Sequence, residues 1–178
     1  MNILVLNGSP RKKGNTEIMA DAFIKGASEQ GHQVEKVNLG HMKIAPCLAC
    51  EFCFTHNGVC VQKDDMAEIL DKMVEADVIV LATPVYFYTM DAQMKTLIDR
   101  TVPRYIEIQN KDFYFIVAAA DTERKMMERT IEGFRGFTQD CLTGAREKGI
   151  IYGTGAWQAG EIKGTPAVKQ AYEMGRNV

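Results

Sequence analysis

Short apolar segments alternate with amphipathic helical segments along most of this chain, and this alternation limits its fold more than any other feature. Val78–Ala82, for example, is a continuous aliphatic run, as is typical of a strand buried on both faces. The predicted strands are Asn2–Leu6, Gln33–Leu39, Val78–Ala82, Phe113–Ala118 and Gly149–Tyr152. The predicted helices cover Thr16–Glu29, Asp64–Ala76, Asp91–Thr101 and Thr122–Lys148, and a last one begins at Pro166. We therefore predict an α/β fold, a doubly wound parallel sheet with helices on both faces.

Length and charge exclude several classes of protein. The 178 residues fit one domain, with a single irregular insert at about residues 41–63. The chain has 21 Lys and Arg residues and 23 Asp and Glu residues. It therefore lacks the excess of basic residues that would indicate a nucleic-acid partner. No apolar segment is long enough for a membrane helix. The apolar N-terminus lacks the basic start of a signal peptide, so we expect a cytoplasmic protein.

The loop after the first strand has the composition of an anion site. Backbone N–H groups at the start of a helix attract anions, and Ser9, Arg11, Asn15 and Thr16 add polar or positive side chains. Asn15 occupies the position of the Walker A lysine, and the G-x-G-x-x-G fingerprint is absent. The loop is therefore suited to one terminal phosphate, although an ordinary polar turn is the alternative.

The segment after the third strand carries a group of aromatic residues. Aromatic and apolar side chains at the carboxyl end of a buried strand suit a flat ring system such as an isoalloxazine. A core contact or a subunit contact is the alternative interpretation. The three consecutive aromatic residues are Tyr86, Phe87 and Tyr88.

Four of the five cysteines, Cys47, Cys50, Cys53 and Cys60, lie in the insert with the pattern C-x2-C-x2-C-x6-C. Compact C-x2-C-x2-C runs bind iron–sulfur clusters because one short loop can present several thiolates to one cluster. Zinc and reduced, redox-labile thiols remain alternatives. The odd number of cysteines and the close spacing of four of them do not indicate a disulfide framework.

Together these motifs resemble the NADPH-dependent FMN reductase branch of the flavodoxin-like superfamily. The resemblance includes the helix that follows the aromatic segment, with Gln93, Met94, Lys95, Asp99 and Arg100. It implies a five-stranded sheet of order 2-1-3-4-5 and bound FMN. By position, Ser9, Arg11, Asn15 and Thr16 would hold the FMN phosphate, and Pro84, Val85, Tyr86 and Phe87 would line the isoalloxazine. A third contact would come from the loop after the fourth strand, through Ala119 and Asp121, although this loop lacks the glycines common in the family.

The resemblance also implies a function. Electrons would pass from NAD(P)H, as co-substrate, through bound FMN to a quinone, a flavin or another small acceptor. No acid–base residue is required, so no catalytic side chain is assigned. The cysteine pattern resembles that of iron–sulfur flavoproteins, which makes an electron carrier with a [4Fe–4S] cluster, reduced by ferredoxin, the alternative. Relatives of this type imply a homodimer or homotetramer.

Overall fold

A computed structural model describes residues 1–178 and confirms the predicted parallel sheet. Its strands are β1 (Asn2–Asn7), β2 (Gln33–Asn38), β3 (Val78–Tyr86), β4 (Thr89–Met90), β5 (Asp112–Ala118) and β6 (Arg146–Gly153). Five strands run parallel in the order β2-β1-β3-β5-β6, which is the expected 2-1-3-4-5 order once the short β4 is set aside. The carboxyl ends of β1 and β3 therefore lie side by side where the strand order reverses, the usual ligand position in such sheets.

Helices cover both faces of the sheet. They are α1 (Asn15–Glu29), α2 (Phe52–Thr55), α3 (Met66–Glu75), α4 (Ala92–Asp99), α5 (Glu128–Cys141) and α6 (Pro166–Arg176). Side chains of β1 alternate between the two cores: Ile3 and Val5 pack towards α1 and α6, whereas Leu4 and Leu6 pack towards α3, α4 and α5. None of the helices combines the length and the apolar character needed to span a bilayer.

The first and last helices pack with their backbones in close contact. A Cβ atom added to Gly26 of α1 would lie 2.1 Å from the carbonyl oxygen of Tyr172 in α6. A Cβ atom on Gly175 would lie 2.1 Å from the carbonyl oxygen of Phe23. Only glycine fits at these two positions, because any side chain would have to displace the backbone of the neighbouring helix.

The structure corrects the prediction in two places. The helix expected over Thr122–Lys148 is α5 alone, and Arg146 already begins β6. Exposed and half-buried residues alternate at the start of β6, as expected for an edge strand, and the polar side chains there hide its β pattern. In addition, β3 continues beyond Ala82 to Tyr86 and pairs with β4 as a hairpin, so the predicted loop is largely strand.

The insert follows β2 and contains only one short helix, α2. It lies on the side of the sheet covered by α3 and α4, where Met42 and Ile44 pack against the core. The rest of the segment is irregular, and Ala49 and Glu51 have φ values of 50° and 58°, in the left-handed region. The insert is thus anchored at its start and turns sharply between its cysteines.

Candidate functional site

A pocket of about 330 Å³ opens at the carboxyl ends of β1, β3 and β5, and we refer to it as the edge pocket. Its position is the one expected for a ligand in a doubly wound sheet. Nine of the ten predicted cofactor residues line it. The lining consists of Ser9, Arg11, Asn15, Thr16, Pro84, Val85, Tyr86, Phe87, Ala118, Ala119, Ala120, Ala156 and Trp157.

One end of the edge pocket is polar and faces the N-terminus of α1. Ser9 and Thr16 are 4% and 1% exposed, and both line the pocket. The first N–H groups of a helix have no acceptor within the helix, so they point outward with partial positive charge. Arg11 extends across this end and donates from Nη1 to the Trp157 carbonyl oxygen at 2.9 Å. A phosphate dianion is complementary to this end.

Asn15 fixes one wall of the pocket. Its side-chain Nδ2 donates to the carbonyl oxygens of Ala156 (3.2 Å) and Gln158 (2.9 Å). Its Oδ1 accepts from the backbone N–H groups of Gly160 (2.9 Å) and Ile162 (3.3 Å). All four hydrogen bonds go to one segment, residues 156–162, which we call the wall segment. The structure therefore gives the Asn15 side chain a positioning role.

The other end of the edge pocket is apolar and aromatic. Phe87 and Tyr88 form the tight turn between β3 and β4, with φ values of 49° and 65°. This turn leaves the Phe87 side chain 99% exposed at the pocket mouth. Trp157, whose backbone is held beside Arg11, lines the same pocket and is 66% exposed. Flat apolar surfaces of this kind can stack on a planar ring.

Asp121 is the one predicted cofactor residue outside the pocket lining. Its Oδ1 accepts from the backbone N–H of Glu123 at 2.8 Å, and its carbonyl oxygen accepts from the N–H of Gly155 at 2.8 Å. Its polar groups thus stabilise the loop after β5. Ala119 does line the pocket, and its backbone pairs with Gly153 and Ala156.

Sequence reasoning missed Asp91, a carboxylate that is only 1% exposed. Its Oδ1 caps α4 by accepting from the Met94 N–H (3.1 Å) and also accepts from the Thr83 hydroxyl (3.2 Å). Its Oδ2 is buried without a partner. A Cβ atom on Gly8 would lie 2.4 Å from Oδ1, so this carboxylate lies against the end of β1. Burial raises the pKa of Asp91 to about 6. Its place just before a helical pattern is the N-cap signal that identifies it.

A second cavity, of about 340 Å³, lies in the insert and is lined by all four clustered cysteines; we call it the cysteine cavity. Cys53 is buried, Cys60 is intermediate, and Cys47 and Cys50 are exposed. The fifth cysteine, Cys141, is exposed at the end of α5 and is remote in sequence from this cavity. The topology therefore gathers the four predicted metal ligands around one space.

The donor set consists of four thiols, which are soft ligands of the kind that iron–sulfur clusters and zinc use. The structure shows no group of three or more His, Cys, Asp or Glu side chains close enough together to hold one metal ion. Mononuclear zinc requires all four sulfurs at about 2.3 Å from one point. A cubane differs, because each thiolate binds a separate iron, and soft thiolates are the ligands such clusters use.

Arg100 forms part of the wall of the cysteine cavity and is 1% exposed. Its guanidinium binds the Asp64 carboxylate through two hydrogen bonds, Nη1 to Oδ2 at 2.7 Å and Nη2 to Oδ1 at 2.9 Å. The same guanidinium holds the pKa of Asp64 below its usual value. Nη1 also donates to the Ala45 carbonyl oxygen (2.6 Å), and Nη2 lies 3.6 Å from the Cys60 Sγ.

Comparison with known proteins gives consistent matches. A family model described as NADPH-dependent FMN reductase matches residues 1–131. An iron–sulfur flavoprotein of Methanocaldococcus jannaschii is 36% identical over 138 residues, which are 77% of this chain and 71% of that protein. An iron–sulfur flavoprotein of Archaeoglobus fulgidus is 45% identical over 103 residues, 58% of this chain and 46% of that protein.

The chain spans about half the length of several of the curated relatives that it matches. A solved NAD(P)H:quinone oxidoreductase from Methanothermobacter marburgensis superposes with a TM-score of 0.74 at 18% identity. That match covers 99% of this chain and 95% of the solved chain, and it shows a shared fold.

Proposed function

The chain belongs to the NADPH-dependent FMN reductase family, and on that premise we propose that it binds FMN in the edge pocket and works as an NAD(P)H-dependent oxidoreductase. One observation carries this proposal: nine of the ten residues expected to hold the cofactor line a single pocket. The pocket joins a polar end suited to a phosphate with an aromatic end suited to a flat ring. The chemistry that FMN supplies when bound is hydride acceptance from NAD(P)H and electron delivery to a quinone, a flavin or another small acceptor.

The residues of the edge pocket would bind FMN, orient it and shield part of it from water. Ser9, Thr16 and the first turn of α1 hold the phosphate, and Arg11 adds a positive charge. The β3–β4 hairpin would line the ring system, and Trp157 would cover the pocket beside Arg11, so both would exclude water from part of the bound group. Asn15 keeps the wall segment in place, so Trp157 is ready before the cofactor arrives.

An FMN titration tests the binding step. Flavin-free protein is titrated with FMN, and affinity is read from fluorescence. Thr16→Val removes a hydroxyl at nearly constant volume, and we expect affinity to fall about 10- to 100-fold, since a hydrogen bond to a charged group contributes about 1.5–3 kcal/mol. Ser28→Ala, on the exposed far end of α1, is the matched control and should bind normally. Unchanged affinity in the Thr16 variant would contradict the phosphate assignment.

An anaerobic assay tests the reaction. FMN-loaded protein is mixed with NADPH or NADH, and bleaching of the flavin absorbance is followed before and after addition of a quinone. Bleaching by a nicotinamide and recovery with the quinone are expected. Flavin that no nicotinamide reduces, in protein that binds FMN normally, would reject the NAD(P)H-dependent activity.

A second function is favoured by the cysteine cavity. Four thiols line one space, and several relatives of this chain are named iron–sulfur flavoproteins. Under this candidate function, Cys47, Cys50, Cys53 and Cys60 hold a [4Fe–4S] cluster that exchanges electrons with FMN and a ferredoxin. Iron and sulfide are quantified after anaerobic purification. Cys50→Ser should lose iron, whereas Cys141→Ser should keep it, and iron-free wild type after reconstitution would reject the candidate.

A homodimer or homotetramer is the proposed assembly. The edge pocket presents Phe87 and Trp157, which are 99% and 66% exposed, Tyr88 next to Phe87 is 51% exposed, and a second copy would cover such a surface. Light scattering tests this point. A mass near 19.9 kDa, that of one chain, would contradict it.

A further inference from the structure

Arg100 closes the two ends of the cysteine-bearing loop against each other. It lies directly after α4, outside the insert, and its guanidinium reaches Ala45 on one side and Asp64 on the other. The Asp64 Oδ2 also accepts from the Ala45 N–H at 3.1 Å. Arg100, Asp64 and Ala45 therefore form a closed ring of hydrogen bonds. All four clustered cysteines lie between Ala45 and Asp64, so the ring forms the base of the ligand loop.

The same guanidinium contacts one of the predicted ligands. Nη2 lies 3.6 Å from the Cys60 Sγ, within the range of an N–H···S hydrogen bond. The Arg100 side chain is only 2% exposed, so water does not compete for this contact. Because Asp64 neutralises the guanidinium charge, the effect on the sulfur comes from the N–H dipole. Hydrogen bonds to cluster sulfurs are one of the means by which proteins set a cluster's potential.

We propose that Arg100 is a positioning residue that closes the cysteine loop and donates an N–H to the Cys60 sulfur, and so determines how firmly the loop holds an iron–sulfur cluster and at what potential. This proposal rests on the second candidate function. It adds a residue outside the cysteine motif, on a different element of the fold. Lysine cannot replace it, since a point charge lacks the planar fork that reaches Ala45, Asp64 and Cys60 together.

The test uses the full-length protein, reconstituted anaerobically with iron and sulfide. Cluster loss to an iron chelator is followed by absorbance in wild type and Arg100→Lys. Loss of an outer hydrogen-bond partner weakens metal sites about 10- to 100-fold, and we expect a similar increase in the rate of loss. Arg104→Lys is the matched control, since Arg104 pairs with Asp71 and Glu107 and lies outside the cysteine cavity. Equal rates in wild type and Arg100→Lys overturn the proposal.

Asp64→Asn separates a specific role from a purely structural one. This variant keeps Arg100 beside Cys60 but weakens the ring. Redox titration should place the cluster potential of Arg100→Lys below that of wild type, whereas Asp64→Asn, which keeps the N–H donor and removes the neutralising carboxylate, should not lower it. Identical shifts in both variants would overturn the N–H···S role, and normal FMN affinity in both shows that they fold.

Cysteine alkylation of the iron-free protein keeps the test independent of the cluster. Mass spectrometry maps the labelling rate of each thiol, with Cys141 as the internal reference. Cys60 should be labelled more slowly than Cys47 in wild type, and this protection should be lost in Arg100→Lys. If wild type takes up no iron, the cluster function fails while the alkylation pattern still decides whether Arg100 closes the loop. Equal labelling of Cys60 in both proteins overturns the loop closure.

Discussion

Replacing Asp91 with asparagine should change how the stability of the protein depends on pH. Asparagine keeps the oxygen that caps α4 but removes the ionisation. The pKa of Asp91 rises from 3.8 in the unfolded chain to about 6 in the folded one. Each pKa unit corresponds to about 1.4 kcal/mol, so the difference amounts to about 3 kcal/mol. The cause is burial, since the side chain is 1% exposed and its Oδ2 has no partner.

The sign of the effect follows from which state holds the proton more tightly. The folded state does so, because its pKa is the higher one. The stabilising contribution is therefore complete below pH 3.8, declines as the pH rises, and is lost above about pH 6. Relative to Asp91→Asn, wild type should lose about 2 kcal/mol of unfolding free energy between pH 4 and pH 8.

Urea unfolding at several pH values measures this difference, with FMN held at one concentration because bound ligand adds stability. Asp99→Asn, an exposed carboxylate at the other end of α4, is the control and should change stability by less than about 1 kcal/mol at every pH. A difference between wild type and Asp91→Asn that stays constant from pH 4 to pH 8 would refute the reasoning.

Three further substitutions, one of them with a matched control variant, test the close contacts of the fold and the site. Gly8→Ala would place a Cβ atom 2.4 Å from the Asp91 Oδ1, so we expect a loss of about 1–3 kcal/mol in urea unfolding; wild-type stability would contradict that contact. Gly26→Ala should cost a similar amount, about 1–3 kcal/mol, because its Cβ would lie 2.1 Å from the Tyr172 carbonyl oxygen. Gly136→Ala, with open space around it, should instead be neutral or stabilise by up to about 1 kcal/mol, and equal losses in the two variants would be inconsistent with this packing. Asn15→Ala removes all four hydrogen bonds to the wall segment, and FMN titration should show affinity reduced about tenfold or more; normal binding would show that the wall does not depend on this side chain.

The sequence predicts the sheet well because its signal is local. Buried parallel strands such as Val78–Ala82 are apolar throughout, and the strand order follows from the resemblance. The edge pocket could also be predicted, because the strand order places the loops after adjacent strands at one edge of the sheet. Thr16 and Phe87 lie far apart in the chain yet line one pocket.

What sequence reasoning missed depends on contacts between distant residues. Pro84 resembles the end of a strand, so the continuation of β3 into a hairpin was not predicted. The polar edge strand that begins at Arg146 resembles a helical continuation. Ala156 and Trp157 are held at the pocket because their carbonyl oxygens accept hydrogen bonds from Asn15 and Arg11, which no local pattern indicates. The metal-ligand assignment of the four cysteines stays a prediction.

The bonds between Asn15 and the wall segment have a consequence for biosynthesis. They join residues 141 to 147 positions apart, among the longest separations in the chain. A ribosome-bound chain can build β1, α1 and β3 long before residues 156–162 have left the exit tunnel. Contacts between residues so far apart in the sequence form slowly, because the entropy lost on closing a long loop must be overcome before the contact stabilises the chain. The wall of the pocket can therefore be added only after residues 156–162 have been made, well after β1, α1 and β3, which carry much of the rest of the lining.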